Sequence, residues 1–276
     1  MSSRVLVNIK ENGIAVVTLN RSEKMNAIDQ EMFKAITAAG ESLKNNRAVK
    51  AVVIHGDGTG FCAGLDLSNF SEDAPEVLAL GSDEIGKAPN MYQQVAWVWK
   101  EVPVPVIAAV HGVCFGGGLQ IALGADMRYV HQNTKLSIME SKWGLIPDMA
   151  GTQILRDLCR VDVAKELTFT GRVFNGEQAV QYGIATEVAN DPFAKAMAVA
   201  ESIVALSPDA MVYAKQLFEE GWQCSREEGL LMEETLNAKL MCSENQMEAI
   251  RSGMSKSKGN YKPRMQDTFY KGEWLK

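Results

Sequence analysis

Apolar and polar positions alternate over residues 5–19 on either side of Glu11-Asn12-Gly13, which predicts two antiparallel strands joined by a tight turn. The period then lengthens. Asn26 and Asp29 stand ahead of apolar positions spaced as one helical face from about 31 to 43. Two runs, AVVIH at 51–55 and VPVIAAV at 104–110, are apolar at nearly every position and rich in β-branched residues. That is the pattern of strands covered on both faces, and each run ends in a glycine-bearing loop. A helix is predicted to open in Gly116-Gly117-Gly118 and continue through 119–123, with strands after it at 127–130 and 135–138. From Gly151 onward the pattern is almost wholly helical, apart from a short strand near 185–188. Alternation followed by a helical end predicts an α/β core over 1–200 and a helical region over 201–276. Residues 68–89 are acidic and turn-rich and read as a mobile loop over a site.

Size and composition narrow the function classes. The chain has 276 residues, 46% hydrophobic and 22% charged, enough for one large core with at most a small appendage. No apolar run approaches the ~20 residues of a bilayer span. The start, MSSRVLVNIK, lacks the apolar core of a signal peptide. A soluble, cytoplasmic protein with no membrane partner is therefore expected. Five scattered cysteines without metal-ligand spacing read as reduced thiols, and His55, His111 and His131 are too dispersed to predict a metal site. The net charge is −6 and the one basic cluster lies at 256–264, so no nucleic-acid partner is expected. An anionic ligand would be held by local groups.

Three stretches carry candidate chemistry. Gly58-Thr59-Gly60-Phe61-Cys62-Ala63-Gly64-Leu65-Asp66-Leu67 follows a predicted strand, and its small residues allow close approach to backbone N–H groups. Taken alone, it also reads as an ordinary strand-to-helix turn. His111-Gly112-Val113-Cys114-Phe115-Gly116-Gly117-Gly118 also follows a strand and opens a helix, where unpaired N–H groups and the helix dipole favour negative charge. It lacks the lysine and serine or threonine of a phosphate loop. The third, 137–148, places Glu140 at the end of an extended run and Asp148 after a bend containing Gly144 and Pro147. Two such carboxylates can relay protons if burial raises a pKa; otherwise they are solvated loop acids.

In combination and order, FCAGLDL, HGVCFGGGLQIALGADMRY and ESKWGLIPDMAGTQILRDL resemble the enoyl-CoA hydratase/isomerase (crotonase) family over nearly the whole chain. The resemblance implies a crotonase-like spiral of ββα units with a C-terminal helical region that mediates trimer formation, often as a dimer of trimers. It implies an acyl-CoA thioester as substrate, CoA being part of the substrate and no separate cofactor being needed. It implies an oxyanion hole from the N–H groups of Leu65 and Gly117, with CoA lying against Ala63–Leu65 and the Lys24–Met25 region. Arg21 or Lys24, or Lys258 or Lys262 of the tail, would answer phosphate charge; surface roles are the alternative.

Hydratases of this family carry two glutamates, and here the first position is Gln120 while the second is Glu140. A glutamine orients a water but exchanges no proton near neutrality. Double-bond isomerisation needs one base, so Glu140 acting alone, with Asp148 as a second acid, favours an isomerase over a hydratase. Trp143, Met139 and Phe115 are expected in core packing or against the acyl group. Two other classes stand beside these: a non-catalytic acyl-CoA binder, and a serine peptidase, which the absence of serine from 112–124 opposes.

Overall fold

The structure is a computed structural model and describes residues 3–70, 84 and 86–265. The first hairpin forms as the alternation predicts: β1 (Val5–Ile9) pairs antiparallel with β2 (Ile14–Leu19), and Gly13 takes the turn at φ 89°. Helix α1 (Gln30–Asn45) follows, its first turn capped by Asp29, whose carboxylate accepts from the Met32 N–H at 2.8 Å. Next come β3 (Ala51–Gly56), α2 (Met91–Glu101) and β4 (Val106–Val110), then β5 (Val113–Phe115) and α3 (Gly117–Leu123). β6 (Met127–Val130) and β7 (Lys135–Ser137) complete the strand-rich half.

The main sheet has six strands in the order β1-β2-β3-β4-β6-β8, where β8 is the short Glu187–Val188 strand. Beyond the antiparallel hairpin every pairing is parallel. β5 and β7 form a second, two-stranded parallel sheet, extended by a bridge from Cys62 to Cys114. Successive turns of the chain thus lay one strand in the large sheet and one short extended piece in the small one.

Period-two alternation sorts the buried strands onto two cores. Val17, Leu19, Val52, Ile54, Val106 and Ala108 face the cluster shared with α1, α2 and α3. Ile14, Val16, Ala51, Val53, Ile107 and Ala109 face the opposite side, covered by Ala196, Met197 and Ala200 of a later helix. Hence the near-continuous apolar runs.

The helical half runs through α4 (Gly151–Leu158), α5 (Val161–Thr170), α6 (Gly176–Gln181), α7 (Pro192–Val204), α8 (Pro208–Glu220), α9 (Arg226–Leu240) and α10 (Glu244–Ser255). α8 is fastened to the core by buried Lys215, whose ammonium lies 2.9 Å from Asp126 and donates to the Trp99 carbonyl at 2.9 Å. The segment after α10 returns to α1. The Arg264 guanidinium, 2% exposed, donates to the Lys44 carbonyl at the last turn of α1 at 2.6 Å. Asp209 of α8 accepts from the Met265 N–H and from the Asn245 amide, which holds the same segment from below. No single helix among the described residues is long and apolar enough to cross a membrane.

Several expectations change. α2 was not foreseen, although Asn90 and Gln93 form a capping box at its start. Residues 113–115 form a strand within what the glycines suggested was all loop. β4 begins at Val106, after Pro105, and β7 ends at Ser137. Most of the predicted mobile loop, 71–83 and 85, lies outside the described residues.

Candidate active site

The carboxyl ends of β3 and β4 deliver the first two glycine stretches to one place. Ile28 donates its N–H to the Gly64 carbonyl and accepts from the Asp66 N–H, a parallel bridge that turns the Leu65 N–H away from Ile28. On the other strand, Gly117 is the first residue of α3, where N–H groups have no intrahelical acceptor. The two stretches touch at Gly64: a Cβ added there would lie 2.8 Å from the Phe115 oxygen and 3.8 Å from the Gly117 nitrogen. Gly64 also adopts φ +91°. Gly64→Ala is therefore expected to cost ~1–3 kcal/mol of folding stability, read as a lowered denaturant midpoint. An unchanged midpoint would show that the loop moves off Phe115 freely.

Glu140 sits beneath this junction in a 3-10 turn, 7% exposed. A Cβ on Gly116, the residue preceding α3, would fall 3.3 Å from its Oε1, so the carboxylate lies against the start of that helix. Gln120, one turn into α3, fixes the carboxylate from the side. Its Oε1 accepts from the Met149 and Gly151 N–H groups, each at 2.9 Å, and its Nε2 donates to Glu140 Oε1 at 2.6 Å. Two backbone donors on the carbonyl leave the amide only one orientation. Gly151 is needed for this contact, because a Cβ there would stand 2.5 Å from Gln120 Oε1. Glu140 Oε2 is buried with no hydrogen-bond partner among the described residues.

Burial raises the Glu140 pKa above its ordinary value; its own backbone N–H and Gln120 pull it back, and the Asp148 charge pushes it up again. Asp148 lies at the exposed rim, where partial desolvation raises its carboxyl as well. Tyr92, which sequence reading missed, completes the group. Burial and then the Asp148 charge raise its phenol, and its ring meets Phe33 edge-on at 5.1 Å. Its sequence signal was its place two residues after the Asn90 cap.

The expected CoA-side residues separate into two sets. Lys24 and Met25 are exposed next to Ala63, whose N–H donates to the Met25 carbonyl at 2.9 Å. Arg21 is engaged within the chain: its guanidinium lies 2.6 Å from Asp66 and 3.5 Å from Asp29, and donates to the Ala27 carbonyl at 2.8 Å. Its charge is already answered. Lys258 and Lys262 are elsewhere. Lys258 lies close enough to Lys50, at the entry to β3, to lower that lysine's pKa after burial does so. The Lys262 N–H is held by Asn245. Lys258 therefore stands toward the end of β3 opposite the glycine loops, ~20 Å away at 3.3 Å per residue along that strand. Trp143, expected in packing, is 55% exposed, whereas Met139 and Phe115 are half-buried. A cleft of about 850 Å³ between α2, α4 and α8 is lined by Trp97, Ala150, Gln153 and Lys215 but by none of Leu65, Gly117 or Glu140.

Comparison with known proteins bears on the family and the fold. The enoyl-CoA hydratase/isomerase family profile matches residues 9–266. The mitochondrial methylglutaconyl-CoA hydratase of Mus musculus is 30% identical over 92% of this chain and 81% of its own length. The peroxisomal Delta(3,5)-Delta(2,4)-dienoyl-CoA isomerase of Arabidopsis thaliana is 27% identical over 91% and 93%. The crystal structure of an enoyl-CoA hydratase from Bacillus anthracis superposes with a TM-score of 0.84 at 27% identity, covering 94% of this chain and 99% of that one. The parallel sheet, its small companion sheet and the flanking helices are thus the crotonase-like α/β fold that the motifs implied. The chain belongs to the enoyl-CoA hydratase/isomerase family, whose members act on acyl-CoA thioesters.

Proposed function

We propose that the protein isomerises the double bond of an enoyl- or dienoyl-CoA, with Glu140 as the acid/base and the Leu65 and Gly117 N–H groups as the oxyanion hole. The observation that carries this reading is the lock on Gln120. Its carbonyl is bound by two N–H groups and its amide is bound to Glu140, so the site holds one proton-transferring glutamate with one unpartnered oxygen.

For a 3-enoyl-CoA the bookkeeping is short. Glu140 Oε2 takes a proton from C2, the C2–H electrons move into the thioester, and negative charge collects on its oxygen. Two preset donors stabilise that charge without reorganising, and one such donor is worth ~3–4 kcal/mol of barrier. Glu140 then returns the proton to C4, leaving the double bond between C2 and C3. Asp148 serves a longer conjugated system as the second acid. CoA lies over Ala63–Leu65 and Lys24–Met25, the acyl chain's own C–H and double-bond electrons suffice, and no further cofactor takes part. Hydration of a 2-enoyl-CoA remains the second reading, because the mouse relative is named as a hydratase; without a second proton-transferring group at position 120, water addition is the slower reaction.

We also infer assembly as a trimer or a dimer of trimers through the helical region. Leu230, Leu231, Met247, Ile250 and Met254 of α9 and α10 are 45–84% exposed and offer apolar side chains to a second copy. A lysine from a neighbour's tail, Lys258 or Lys262, then answers the charge of the CoA phosphates.

Purified protein incubated separately with 2-enoyl-, 3-enoyl- and dienoyl-CoA tests the reaction. Unchanged product mass with an altered ultraviolet spectrum is expected from 3-enoyl- or dienoyl-CoA, faster than any gain of water by 2-enoyl-CoA. Hydration as the faster reaction would reverse the assignment.

A further inference from the structure

The segment 21–28 is joined to the loop 57–66 through Arg21, Met25, Asn26 and Ile28. Asn26 is its centre: wholly buried, left-handed at φ 57°, and bonded on both sides of its amide. Nδ2 donates to the carbonyls of Asp57, Gly60 and Phe61 at 2.9–3.1 Å, and Oδ1 accepts from the Arg21 N–H at 2.8 Å. Those three carbonyls belong to the stretch before Leu65. The stretch after it is held by Asp66, whose Oδ2 lies 2.6 Å from Arg21 and whose Oδ1 accepts from the Ser68 N–H and hydroxyl at 2.9 and 2.8 Å. Arg21 is itself tied to the Ala27 carbonyl and near Asp29, which caps α1. Between these two anchors, Ala63 donates to Met25 and Gly64 accepts from Ile28. Leu65 is therefore bracketed by side-chain contacts that all return to one short segment.

A loop of small residues has many backbone states, and a hydrogen bond to a developing oxyanion tolerates little misalignment. Bulk stability does not call for an arginine and an asparagine here. Apolar side chains fill the adjoining core without a buried ion pair, which rarely stabilises on balance. Fixing the direction of one N–H does call for them. We propose that Asn26 and the Arg21–Asp66 pair are positioning residues that aim the Leu65 N–H at the thioester oxygen. This rests on the oxyanion-hole reading above, and the experiment separates the two.

The probe is a chromophoric aryl-conjugated acryloyl-CoA, whose absorbance moves to the red on binding when its carbonyl is polarised. Wild-type protein is expected to show that shift. Asp66→Asn keeps the acceptor for Ser68 and loses the charge facing Arg21; Arg21→Met removes the pair from the other side, and Arg21→Lys restores charge without the fork. For Asp66→Asn and Arg21→Met, kcat is expected to fall ~10–100-fold with most of the red shift lost, while Kd for the thioester stays within about threefold. Arg21→Lys should fall between Arg21→Met and wild type in both readouts. Circular dichroism and the melting temperature select the variants that are folded, and Asn26→Ser, which removes the three Nδ2 bonds, provides an independent variant on the other anchor. An unchanged red shift in the folded variants overturns the proposal, as does a loss of affinity with the shift intact, which would return Arg21 to phosphate binding. A wild-type complex without a red shift overturns the oxyanion-hole reading and the proposal with it.

Discussion

Glu140→Gln should lower kcat for isomerisation by ~10³–10⁴-fold while leaving the Kd for acyl-CoA within about threefold. The substitution keeps the volume of the side chain and the contact to the Gln120 amide, which the new carbonyl accepts in place of Oε1. What disappears is the proton acceptor at Oε2. The pH profile of kcat/KM gives a second reading of the same group. Burial, with Asp148 nearby, places the Glu140 pKa above its ordinary 4.5, so activity should decline as pH falls through that raised value, and the residual rate of the variant should lack that limb.

Stability should move the other way. A carboxyl whose folded pKa is raised binds more protons folded than unfolded, so ionisation destabilises the fold, and stability declines as pH rises from the ordinary value through the raised one. Glu140→Gln should therefore match wild type in strong acid and exceed it at neutral pH, measured by urea midpoints at both. A variant with full activity, or an acid limb at the ordinary carboxylate value, would remove Glu140 from the mechanism.

Gln120→Glu should have the other large effect, on the choice of reaction. The new carboxylate keeps one oxygen under the Met149 and Gly151 N–H groups and sets the other 2.6 Å from Glu140 Oε1, where two charges cannot coexist. One proton is shared, and the pair titrates in two steps that belong to both residues. Water held at Glu140 Oε2 then faces a pair that can both accept and return a proton. We expect hydration of 2-enoyl-CoA to rise ~10²-fold, isomerisation to fall because Glu140 is partly protonated, and the pH profile to become bell-shaped. Hydration unchanged in a folded variant of normal affinity would mean that Gln120 is not what disfavours water addition.

Much of this was legible before any coordinates. β3 and β4 could be read because parallel strands buried on both faces have no polar positions to confuse the period, and the loops carrying Leu65 and Gly117 could be read because close backbone approach demands small residues. Glu140 and Asp148 stood out as acids beside those loops. Contacts set by direction were less accessible. Gln120 was recognisable as a missing acid, but not as a clamp, since its role depends on N–H groups of Met149 and Gly151 that reach it from 29 and 31 positions away. Arg21 looked like a phosphate ligand because a string of letters does not say whether a guanidinium meets solvent or Asp66. Trp143 was expected in core packing or against the acyl group, yet it is 55% exposed, and hydrophobic side chains occupy surfaces freely. α2 is hard to read because an acidic, turn-rich stretch runs straight into its Asn90–Gln93 cap.

The Arg264 contact bears on how the chain is made. The Lys44 carbonyl in the last turn of α1 is met by a side chain 220 positions later, so this contact forms only after the strand-rich half and the helices that follow it have been made. The early strands and α1 can gather while translation continues, but the fastening between them and the helical half waits for a residue made far downstream.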